Sequence, residues 1–236
     1  MIVTSDVEAV VLDIDGTLCS LTDGVGAIYH ELLRAQGLQS DPANLGLAAR
    51  RVWKSFRDTY LNTSEQYRTT HVREREVWLE FIRRVCGEAN LTYGSSPQIV
   101  ESIYNAFASR AYRKIEPGAI EFLQRAQERG FLLVAASNND ERSKVTLKEL
   151  CLEPFFSHVF VAGDLGWKKP SPHFYEALAT RVGLRPENIL HVGNDRELDV
   201  EGAIRAGFAA MLYAPQGGGN SPQVSSFVEL GALIGL

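Results

Sequence analysis

Val10-Val11-Leu12-Asp13-Ile14-Asp15-Gly16-Thr17-Leu18 decides how the rest of the chain is read. Five of these residues are aliphatic and two are acidic, which predicts a buried strand that delivers two carboxylates at its C-terminal end. Gly16 then breaks the strand. Asp13 and Asp15 are two apart and point to the same side. Burying carboxylates unpaired is costly, so the pair needs a shared cation or a catalytic role, and a magnesium ion supplies one. The alternative is a strand-end Asp pair that caps the next turn.

Working outward, 236 residues suffice for a full core, either one domain of ordinary size or one core with an inserted subdomain. The formal net charge of -5, with no long run of one sign, argues against nucleic acid or an anionic membrane as partner. Cys19, Cys86 and Cys151 are odd in number, far apart and without metal-ligand spacing, which fits the reduced thiols of a cytoplasmic protein; Cys19 reads as packing. Asp6 and Glu8 precede any apolar run, so no secretory signal is expected, and no apolar segment approaches the ~20 residues that cross a bilayer. Monomer and homodimer stay open.

Between Leu18 and Pro117 the apolar spacing is helical. Ala27-Ile28-Tyr29 with Leu32-Leu33 forms one face closed by Gly37, and Asp41-Pro42 reads as an N-cap opening a helix through Val52, Trp53 and Phe56. A third helix is expected from near Ser64 or later, carrying Val72, Val77, Trp78, Phe81, Ile82 and Val85 to Gly87, and a fourth from Ser96-Pro97 through Ile103 and Phe107. No alternating strand pattern intervenes, so this is a helical insertion. Residues 20–115 hold 13 Lys+Arg and 10 Asp+Glu, making the insertion mildly basic over an acidic remainder. A solvated helix face gives the same count, and the arginines Arg50, Arg51, Arg57, Arg68, Arg73 and Arg75 read mostly as such faces.

From Pro117 helices and strands alternate. Strands are expected at Phe131–Ala136, His158–Val161, Ile189–Val192 and Ala209–Tyr213, with helices between them, including 171–182 and 199–206. This order predicts an α/β fold, a doubly wound parallel sheet with helices on both faces. The loop Gly217-Gly218-Gly219-Asn220 lacks a phosphate-cradle setting and reads as a flexible surface connection. Ligands in such sheets sit beyond the carboxyl ends of the strands. Asp13 and Asp15 stand at one such end, Ser137-Asn138-Asn139 at a second, and Gly193-Asn194-Asp195 with Asp199 at another, while Lys168-Lys169-Pro170 precedes the helix at 171. Taken singly, Ser137 reads as a helix N-cap, Lys169 as an exposed loop lysine and Asp199 as a cap of the next helix. None of the five histidines has ligand spacing, and His191 reads as a core histidine inside a strand.

This set, opening on Asp-x-Asp-Gly-Thr and keeping its order over the whole core, resembles the four motifs of the haloacid dehalogenase-like hydrolase superfamily. The insertion resembles that superfamily's C1 cap. The resemblance implies a Rossmann-like core over 1–19 and 116–236 with a helical cap over 20–115, acting as a magnesium-dependent phosphatase on a small soluble phosphomonoester. Asp13 would be the nucleophile that forms an aspartyl-phosphate, and Asp15 the general acid/base. Ser137, Asn138 and Lys169 would meet the phosphoryl group, the Lys-Pro pairing choosing Lys169 over Lys168. Magnesium (Mg2+) would be held by Asp13, by the backbone carbonyl of Asp15, and by Asn194 or Asp195. Here the sequence departs from the common Gly-Asp form, since Asn194 offers an oxygen without a formal charge. A phosphosugar mutase of the same fold would use the same Asp pair; Asp15 disfavours a 2-haloacid dehalogenase or a phosphonate hydrolase. Asn194 is the one feature inviting a non-catalytic binding protein.

Overall fold

Ala9, Val10, Val11 and Leu12 form β1 (Ala9–Leu12), and all four are fully buried. Alternate side chains leave a strand on opposite faces. Val10 and Leu12 therefore enter one core with Phe122, Leu123 and Phe227, while Ala9 and Val11 enter another with Phe174, Tyr175 and Leu178. A strand apolar on both faces belongs inside a parallel sheet sandwiched by helices. In this computed structural model, which describes residues 7–91, 96–217 and 222–236, β1 holds that place. Residues 218–220 of the glycine-rich loop lie outside the described residues.

The sheet strands are β1, β4 (Leu132–Ser137), β5 (His158–Val161), β6 (Ile189–Gly193), β7 (Ala209–Tyr213) and β8 (Gln223–Val224). They are all parallel, in the order β5-β4-β1-β6-β7-β8. The chain builds β4 and β5 on one side of β1 and then crosses to β6 and β7 on the other. The winding reverses at β1, so a crevice opens beyond its carboxyl end. Helices α5 (Ala119–Glu128), α6 (Arg142–Glu149) and α10 (Phe227–Leu233) contribute to the first core, and α7 (Ala162–Leu165), α8 (Pro172–Val182) and α9 (Gly202–Arg205) to the second.

The insertion is α1 (Val25–Ala35), α2 (Pro42–Leu61), α3 (His71–Glu88) and α4 (Pro97–Ala106), with its own core around Leu33, Val52, Phe56, Phe81, Val85 and Ile103. Asp41 caps α2 as expected, accepting from the Ala43 and Asn44 N–H groups at 3.0 and 3.3 Å. α3 starts later than Ser64, because Thr63–Glu65 forms a separate 3-10 turn and Thr70 supplies the cap, accepting from Arg73 N–H at 3.2 Å. Val72, at the very start of α3, is 68% exposed and off the expected apolar face.

A short antiparallel ladder, β2 (Cys19–Leu21) with β3 (Arg113–Ile115), joins insertion to core. Three residues per strand leave no readable alternation, so the sequence does not announce it. The helix expected over 199–206 begins earlier, as a π-helical turn over Arg196–Glu201 that runs into α9. The three cysteines are free thiols, and among the described residues no helix is long and apolar enough to cross a membrane.

Candidate active site

Asp13 follows β1 directly, and its N–H donates to the Val192 carbonyl of β6 at 2.9 Å, so the sheet itself fixes the first carboxylate. Lys169 Nζ lies 2.7 Å from Asp13 Oδ1 and 2.6 Å from Asp199 Oδ1, and donates to the Ala136 carbonyl at 3.2 Å. All three side chains are buried, with two carboxylates sharing one ammonium. Burial pushes the Asp13 carboxyl up to about 7 against the pull of Lys169. Burial opposes charge on Asp199 too, but Lys169 and His191 together outweigh it and hold that carboxyl below the usual range. Desolvation also works against the Lys169 charge; Asp13 and Asp199 overcome it and hold the ammonium above the ordinary lysine value. Asp199 packs against Gly193, where a Cβ would overlap the carboxyl group. A side chain at 193 would push Asp199, and with it Lys169, out of line.

Asp15 stands half-buried beside the β2–β3 joint. Arg113 of β3 pairs with Asp15 Oδ1, and Asn139 Nδ2 donates to Oδ2 at 2.6 Å. Ser137 ends β4. Its Oγ accepts from Asn139 N–H at 3.1 Å and from the Ser143 hydroxyl at 3.5 Å, which leaves its own proton available. Asn138 faces the Lys169 backbone, accepting from its N–H at 2.6 Å and donating to its carbonyl at 2.9 Å. Beside Asp15 a cavity of about 420 Å³ opens between core and cap.

After β6, Asn194 lies against Gly16, whose φ of +86° and lack of Cβ leave room for the amide. Asn194 thus abuts the Asp15-Gly16 turn. Asp195 is engaged elsewhere: its Oδ1 accepts from Leu198 N–H at 2.9 Å, so it caps the π-helical turn. Asp199 therefore does not serve as the helix cap; its Oδ2 accepts from Asp195 N–H at 2.9 Å while its Oδ1 holds Lys169.

Residues 7–207 match the family model described as haloacid dehalogenase-like hydrolase. The chain belongs to this family. It is 26% identical over 203 residues to haloacid dehalogenase-like hydrolase domain-containing protein 3 of Bos taurus, covering 86% of this chain and 80% of that protein. It is also 26% identical over 211 residues to glyceraldehyde 3-phosphate phosphatase of Methanopyrus kandleri, covering 87% and 83%. Among solved structures, the magnesium-bound HAD-hydrolase YfnB of Bacillus subtilis superposes with a TM-score of 0.71 at 18% identity, covering 98% of this chain and all of that one. That likeness concerns the fold.

Within this hydrolase the sequence-predicted residues Asp13, Asp15, Ser137, Asn138, Lys169 and Asn194 gather at the carboxyl ends of β1, β4 and β6, with Asp195 one step outside. Neither lysine of the pair is an exposed loop residue, since Lys168 is as buried as Lys169. Lys168 turns to the cap, 2.6 Å from Glu74 Oε2 and 3.3 Å from the centre of the Tyr60 ring. Burial lowers Lys168 to about 8, with Glu74 working the other way. Tyr60 OH donates to the Asn138 carbonyl at 3.1 Å and to Asn139 Oδ1 at 3.2 Å. His191 is a core histidine as expected, but its Nε2 lies 3.3 Å from Asp199 Oδ1. Sequence reasoning did not single out Arg113, Glu74 or Tyr60. They come from the insertion, and no spacing to the motifs marks them.

Proposed function

We propose that this hydrolase is a magnesium-dependent phosphatase that cleaves a small phosphomonoester through an aspartyl-phosphate on Asp13. The observation that carries this reading is the second carboxylate: Asp15 lines the cavity, while Asp13, two residues earlier at the end of β1, is held by Lys169. In the first half-reaction Asp13 attacks phosphorus as the bond to the leaving oxygen breaks, and Asp15 gives that oxygen a proton. In the second, Asp15 takes a proton from water, whose oxygen attacks phosphorus and frees Asp13 and inorganic phosphate. Lys169 orients Asp13, and the Ser137 hydroxyl donates to a phosphoryl oxygen.

The donor set suits a hard divalent cation. Once Asp13 is ionised, it and Asp199 carry one more negative charge than Lys169 neutralises, in buried surroundings, and a cation removes that imbalance. Asp13, the Asp15 carbonyl and Asn194 would hold magnesium, which when bound screens the phosphate from the attacking carboxylate. Asn194 is preferred to Asp195 because its amide abuts the Asp15-Gly16 turn, whereas Asp195 directs Oδ1 to the Leu198 N–H as a helix cap.

The test is hydrolysis of an aryl phosphate with magnesium and with chelator, in the native protein and in Asp15→Asn. Activity should require the metal, and Asp15→Asn should lose about 10²- to 10⁴-fold. Full activity in chelator removes the metal role. The uncharged Asn194 favours a second reading, a dehalogenase in which Asp13 displaces halide from carbon; halide leaves without a proton. Release of chloride from 2-chloropropionate in chelator, undiminished in Asp15→Asn, would put that reading in place of the phosphatase.

A further inference from the structure

The cavity beside Asp15, about 420 Å³, falls within the range of about 300–1,000 Å³ common for small-molecule sites. Its two sides differ in chemistry. The core contributes Asp15, Asn139, Asp140 and Ser143, whereas the insertion contributes mainly apolar surface from Val25, Trp78, Phe81, Ile82 and Phe107, with hydroxyls on Ser20 and Tyr29. Among the described residues lining it, Arg113 and Arg142 are the positive side chains, and both are already paired. Arg113 holds Asp15. Arg142 Nε lies 2.9 and 3.2 Å from the two Asp140 oxygens, its Nη1 donates to the Tyr104 carbonyl at 3.0 Å, and its guanidinium sits 3.9 Å over the Tyr104 ring. The Tyr104 hydroxyl donates to Asp140 Oδ2 at 2.7 Å and closes the network. Two arginines thus cancel two carboxylates, and no cation is left over for an acidic substrate.

Resting on the phosphatase reading, we propose that the alcohol half of the substrate is uncharged and largely apolar, an aliphatic or aromatic group seated against Trp78, Phe81 and Ile82. A carboxylate or second phosphate would enter without an unpaired cation to meet it, and the several hydroxyls of a polyol would lose water against Val25, Phe81, Ile82 and Phe107, which return no hydrogen bond, with the unpartnered Trp78 indole N–H and the Tyr29 hydroxyl offering only isolated polar contacts. An alkyl or aryl group loses nothing there and gains by leaving water. The core side recognises the phosphoryl group common to all such esters, so the cap side sets the choice.

Ethyl, butyl and hexyl phosphate separate burial from chemistry, because their leaving alcohols are nearly equal in acidity. With magnesium, kcat/KM should rise about fourfold per methylene until the cavity is filled. Phosphoserine should be about tenfold or more poorer than propyl phosphate. Phe81→Ala should flatten the alkyl series, lowering hexyl phosphate turnover more than ethyl. Measurable turnover with a flat or falling series, or phosphoserine overtaking propyl phosphate, would overturn the apolar assignment and leave the phosphatase reading standing. If no ester in the set is hydrolysed with magnesium, the phosphatase reading falls and this assignment falls with it.

Discussion

Lys169 ties together two carboxylates whose ionisation burial and pairing shift in opposite directions, and the proposed mechanism asks only one of them to attack. As the proposed nucleophile Asp13 must be ionised to attack, yet burial lifts its carboxyl to about 7. A cation at that carboxylate favours its charged form. The acid limb of kcat/KM should therefore lie near pH 7 at limiting magnesium and move to lower pH as magnesium saturates. A limb that stays fixed across the titration would separate Asp13 ionisation from the metal. The same residue affects stability: folded Asp13 keeps a proton that the unfolded chain releases above 3.8, so its contribution falls as pH rises from about 3.8 to about 7. Asn194 and Asp195 make a second test at this scale. Asn194→Asp should tighten magnesium, since an anionic oxygen binds a hard cation better than an amide oxygen. Asp195→Asn should leave magnesium affinity nearly unchanged, since Asn also serves as an N-cap and Asp195 makes the capping contact. A large loss of magnesium affinity in Asp195→Asn, with none gained in Asn194→Asp, would make Asp195 the ligand.

At the scale of elements, cap and core are joined by more than the β2–β3 ladder. α3 brings Glu74 to Lys168 with both side chains fully buried, and α2 lays Tyr60 over the same ammonium while its hydroxyl reaches the loop after β4. Removing one partner of a buried ion pair strands the other. Glu74→Met should cost about 3–5 kcal/mol, and the double variant Glu74→Met with Lys168→Met should recover most of it, because an apolar pair of similar volume is often neutral or better. Chemical denaturation of the three proteins measures this. Lys168 also sets a pH dependence. Its folded value of about 8 lies below the ordinary 10.5, so between these limits the unfolded chain binds more protons, and this group's contribution to stability rises with pH across that window. Lys168→Met should abolish the rise; a variant that keeps it would assign it to another group.

Over the whole molecule, legibility follows how local the signal is. His158–Val161 and Ala209–Tyr213 are strands at the bounds their apolar runs suggest, and β1, β4 and β6 differ from expectation by only a few terminal residues. β2, β3, β8 and α7, at two to four residues each, are too short to leave a period, whereas α10 does carry a legible start, Ser226 capping it three residues before Glu229, that the sequence reading passed over. The motif residues are readable because each stands at a strand end or just before a helix. Arg113 and Glu74 are not, because they meet Asp15 and Lys168 only when the insertion folds back over the core. That division fixes how the molecule's two halves can be tested. The apolar lining of the cavity belongs to the insertion, while Asp13, Ser137 and Lys169, proposed to handle the phosphoryl group, belong to the core, so on that reading exchanging the cap should change substrate choice and leave metal dependence alone. The exchange has to respect two contacts. Cutting within residues 22–112 keeps both strands of the joint, and with them Arg113 on Asp15; retaining Tyr60 and Glu74 keeps Lys168 from becoming an unpaired buried charge. A chimera built this way with a polar-lined cap should lose its gain along the alkyl phosphate series while its magnesium titration stays where it was. If the alkyl preference survives in a folded chimera, the core chooses the substrate, and the cap merely covers the site.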